Sequence, residues 1–98
     1  MILTIEEKRL IFQILNKIMQ ADLVVRQEEL DFLDTIFYQF ELSMDEFDHM
    51  DNIDIDELKK EFTVQSDEVK IYAHKLFIEM ANCDHHLDPR ELYMINAF

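Results

Sequence analysis

Ile11, Ile14, Leu15 and Ile18 fall at i, i+3, i+4 and i+7, the spacing that gathers apolar side chains onto one face of a helix. Just upstream, Thr4-Ile5-Glu6-Glu7 has the form of a capping box, in which a hydroxyl and a carboxylate satisfy N–H groups that a first helical turn leaves open. A first helix is therefore predicted over about residues 4–20. After a short turn at 22–25, Leu30, Leu33, Phe37 and Phe40 mark one face of a second helix that ends near Glu41. Ser43-Met44-Asp45-Glu46 repeats the capping-box form and predicts a short third helix with Met44 and Phe47 turned inward. Asp54-Ile55-Asp56-Glu57 reads as a fourth start, with Leu58 and Phe62 buried. Ser66 caps a long fifth helix in which Val69, Ala73, Leu76, Phe77 and Met80 repeat the stripe of the first. Asp88-Pro89-Arg90-Glu91 combines an N-cap acid, a proline at the first helical position and a glutamate at the third, and opens a sixth helix carrying Leu92, Ile95 and Phe98.

A shift of 62 residues lays Ala21-Asp22-Leu23-Val24-Val25-Arg26-Gln27-Glu28-Glu29-Leu30 on Cys83-Asp84-His85-His86-Leu87-Asp88-Pro89-Arg90-Glu91-Leu92. Asp22 meets Asp84, Glu29 meets Glu91 and Leu30 meets Leu92. The flanking stripes follow, with Ile14 on Leu76, Leu15 on Phe77, Ile18 on Met80 and Leu33 on Ile95. Two equivalent helical hairpins packed on each other are the expected outcome, giving an all-α compact bundle of about six helices.

Composition sharpens this. The 98 residues, 49% of them hydrophobic, suffice for one core and not for two, so residues 1–98 are expected to form a single domain. Glycine is absent and Pro89 is the one proline, which withholds the residues that tight hairpins and phosphate-cradling loops depend on. No apolar run reaches the length of a membrane span, and the N-terminal residues lack a basic region followed by an apolar stretch. A cytoplasmic location is expected, and Cys83, which has no second cysteine to pair with, agrees with a reducing compartment.

Charge is lopsided. The 22 acids against 9 bases give −13, and between Gln27 and Leu58 there are twelve acids and no Lys or Arg. Such a surface repels phosphate backbones and anionic lipid, which argues against nucleic acid and membranes as partners. Its natural counterparts are cations or a basic protein; the plainer role for the excess is solubility.

Ala21, Asp22, Val25 and Glu29, and again Cys83, Asp84, Leu87 and Glu91, also resemble the tellurite-resistance TerB-like domains, a family that includes the N-terminal domain of a membrane-anchored DnaJ-like co-chaperone. Those domains carry a small residue, then Asp-Gly, a branched apolar residue two positions on, and Glu four after that. The resemblance covers about residues 8–98 and departs at the glycine, which is Leu23 in one turn and His85 in the other. It implies an all-α bundle without catalysis, serving divalent-cation binding or protein assembly under stress.

As candidate cation ligands the turns offer Asp22, Glu29, Asp84, Asp88 and Glu91. Asp84, Leu87 and Glu91 fall where a calcium loop places its fifth, eighth and twelfth residues, but Met80 stands at the first position and the sixth is not glycine, so a calcium loop of that type is excluded. The plainer reading has Asp88 and Glu91 capping their helix and complementing its dipole. Cys83, His85 and His86 have the ligand types of a zinc site, yet adjacent histidines diverge and no second cluster completes four ligands. His49 and His74 stand alone. Phe32, Tyr38, Tyr72 and Tyr93 lie off the core stripes, as partly buried packing or as an association patch. For catalysis the inventory is thin: Ser43 and Ser66 sit at helix caps, and no nucleophile and histidine are suitably spaced, so no enzyme and no resident cofactor are expected.

Overall fold

Five of the predicted helix starts depend on signals that act within a few residues, and helices begin at the four whose first turns lie among the described residues. In a computed structural model, which describes residues 2–20, 27–43, 54–83 and 89–98, the described residues form five α-helices and no strand. These are α1 (Ile5–Met19), α2 (Gln27–Gln39), α3 (Ile55–Thr63), α4 (Asp67–Asn82) and α5 (Pro89–Asn96). The third predicted helix, opened by Ser43, falls on residues 44–53, outside the described residues. At α1 both halves of the capping box close, Glu7 N–H donating to Thr4 Oγ1 at 3.1 Å and Thr4 N–H to Glu7 Oε1 at 2.7 Å. The Asp54 side chain accepts from Asp56 N–H at 3.2 Å to start α3, and Ser66 Oγ accepts from Val69 N–H at 3.3 Å to start α4. Pro89 is the first residue of α5, where its missing N–H and fixed φ cost nothing.

The core is one cluster drawn from all five helices. α1 lies at its centre, in contact with α2, α3, α4 and α5; α4 packs in turn on α2 and α5. This explains a departure from the predicted single stripe. Leu10 to Leu15 are six consecutive buried residues, Phe12 and Gln13 among them, because a helix covered from several directions has little outward face left. Ile14, Leu15, Ile18, Leu76, Phe77 and Met80 are all buried, as are Leu58, Phe62, Leu33 and Ile95. Leu30 and Leu92, expected in the stripes, sit at the edge of the core, 39% and 37% exposed. The Cα radius of gyration, 12.5 Å, is that of a well-packed chain of this length, for which about 13 Å is usual.

Without glycine, the end of α2 has to be made from other residues. Glu41 takes φ 55°, the left-handed conformation that glycine usually supplies after a helix. Glu41 N–H donates to Tyr38 C=O at 3.1 Å and Leu42 N–H reaches back to Phe37 C=O at 3.2 Å, the two bonds of a Schellman motif. Leu42 is buried and anchors the chain as it leaves the helix. A side chain in that conformation carries a steric cost that glycine avoids, so E41G is expected to raise stability by about 0.5–1 kcal/mol. Urea unfolding reads the change directly, and an unaltered or lowered midpoint would mean the turn is relaxed with a side chain in place.

Candidate functional site

The outward face of α2 carries part of the base-free stretch. Glu28, Asp31 and Asp34 are exposed on it together with Tyr38, which stands largely in solvent, and Glu41 is exposed just beyond the helix. The face is locally ordered: Gln27 Nε2 donates to Asp31 Oδ1 at 2.9 Å, and Thr35 Oγ1 donates to Asp31 C=O at 3.0 Å. Its charge pattern works against the helix. Glu28 and Asp31, then Asp31 and Asp34, are like charges three residues apart, each pair costing a few tenths of a kcal/mol. No base stands in the last turn to complement the negative end of the dipole, as is also true of α4 and α5, whereas α1 has Lys17 and α3 has Lys60 there. The like-charge pairs are therefore not there for helix stability; a face of this sign repels anions and attracts cations. Asp54, Asp56 and Glu57, at the start of α3, are also exposed, continuing the acidic character of this half of the chain.

Of the five candidate cation ligands, Asp22, Asp84 and Asp88 lie outside the described residues, and for Glu91 the description stops at its backbone in the first turn of α5. Glu29 lies in the first turn of α2 and is 1% exposed, with both carboxylate oxygens shut off from solvent. At that depth a carboxylate is costly unless compensated, and the helix N-terminus offsets part of the cost. Residue type reads as surface at this position, and only its alignment with the apolar face, next to Leu30 and Leu33, hints otherwise. Among the described residues no group of three His, Cys, Asp or Glu side chains is placed to hold a metal ion.

Cys83 is half-buried at the C-terminal cap of α4, while His85, His86 and His49 lie outside the described residues. His74 is a core-edge residue. Its ring lies 5.5 Å from that of Phe77 and 5.7 Å from that of Phe62, with Phe98 closing the same aromatic group. Phe32 and Tyr72 pack against the core, whereas Tyr38 and Tyr93 are exposed.

One surface escaped the sequence reading. On α4, Lys70, Ile71, His74, Lys75, Ile78 and Glu79 line a shallow groove of about 480 Å³. Ile71 and Ile78 are seven residues apart and lie off the buried line of Val69, Ala73, Leu76, Phe77 and Met80, so a second apolar line was the available signal. No described helix is long and apolar enough to cross a membrane. Compared with known proteins, the chain matches no family model, no curated protein and no solved structure.

Proposed function

We propose that the chain is a cytoplasmic TerB-like domain that acts as a non-catalytic interaction module, its acidic surface engaging a basic or cation-bearing protein. The observation that carries this reading is the outward face of α2, which carries three exposed acids, Glu28, Asp31 and Asp34, together with exposed Tyr38 and no base. Within the same proposal the bundle has about six helices and arose from two copies of one hairpin. Support for the duplication comes from the contacts: exchanging α1 and α2 with α4 and α5 maps α1–α2 onto α4–α5, and α1–α5 onto α4–α2, all of which pack together. Matched burial at Ile14 and Leu76, Leu15 and Phe77, and Leu33 and Ile95 supports it as well.

Partners retained by the immobilised chain from its own cell extract are expected to elute between about 0.15 and 0.5 M salt, because exposed charges are screened over that range. The E28Q/D31N/D34N variant is expected to retain them at least tenfold less well, since its face no longer complements a basic surface. Partners that survive high salt, or that bind the variant equally, would remove the reading.

A second reading, divalent-cation binding through Asp22, Glu29, Asp84, Asp88 and Glu91, draws on the depth of Glu29, the most deeply buried charged side chain described. Calorimetric titration with calcium, magnesium and zinc tests it: binding to the folded chain raises the melting temperature, and neither heat nor a shift at millimolar metal dismisses it.

A further inference from the structure

We draw no further inference here: the strongest candidate, the exposed apolar face of α4 around Ile71 and Ile78, is flanked by Asp67, Glu68 and Glu79 as well as by Lys70 and Lys75, and nothing in the structure shows what covers it.

Discussion

Replacement of Phe77 by alanine is expected to lower the stability of the fold by about 3–5 kcal/mol. Its ring is fully buried on α4 and meets Phe62 at 5.9 Å, His74 at 5.5 Å and Phe98 at 6.2 Å between ring centroids. Truncation removes the transfer free energy of the ring, leaves a cavity between α3 and α4, and forfeits ring–ring contacts that add about 0.5–1.5 kcal/mol beyond burial. A domain of this size has a net stability of roughly 5–15 kcal/mol, so the loss is a large fraction of the total. F77L keeps most of the volume and should cost about 1–1.5 kcal/mol. Y93A, at an exposed ring of α5, should fall within about 0.5 kcal/mol of the parent. Urea denaturation at constant m-value separates the three, and a loss below about 1 kcal/mol for F77A would mean that the ring is not closely packed.

The second large effect concerns the proposed duplication. Ile14 and Leu76, which the 62-residue shift superimposes, are both buried, and alanine at either is expected to cost about 2–5 kcal/mol. Leu30 and Leu92, superimposed by the same shift, are each more than a third exposed, and alanine at either should cost less than about 1 kcal/mol. Two hairpins of common descent that still hold equivalent places should show parity within each pair and a gap between the pairs. Unfolding free energies of the four single variants decide the matter. If I14A and L76A differ several-fold, the two stripes do not occupy comparable environments and the duplication is not a structural one.

What could be read from the chain alone was local. Thr4, Asp54 and Ser66 announced their helices because a cap needs only the next three residues, and the observed hydrogen bonds are the ones the residue types imply; Pro89 did so through its fixed φ at the first helical position. The stripes were legible for the same reason, since spacing alone decides which side chains share a face. Burial that depends on a third element was not. Phe12 and Gln13 are covered because several helices converge on α1, and nothing within α1 says how many neighbours it will have. Ile71 and Ile78 look like core residues by type, yet α4 already satisfies its neighbours through Leu76, Phe77 and Met80, and apolar character does not guarantee burial. Glu29 is the converse, a carboxylate in a place where charge predicts exposure. The left-handed turn at Glu41 gave no warning either, because the residue that ordinarily marks such a position is missing from the whole chain. For the candidate site, the acid excess was visible in the count of residues, and the spacing of Glu28, Asp31, Asp34 and Tyr38 puts them on one face; that Glu29, in the same run, is covered was not.

The central place of α1 has a consequence for the chain as it is made. Residues 5–19 are synthesised before the helices that cover them, and of those α3 to α5 begin only at Ile55 and finish at Asn96. At translation speeds of about 5–20 residues per second, the apolar faces of Leu10, Ile11, Ile14, Leu15 and Ile18 wait several seconds for their cover. During that interval the nascent segment is a sticky helix with few charges on its second half, and the polypeptide most exposed to misassociation is the one that later becomes least accessible.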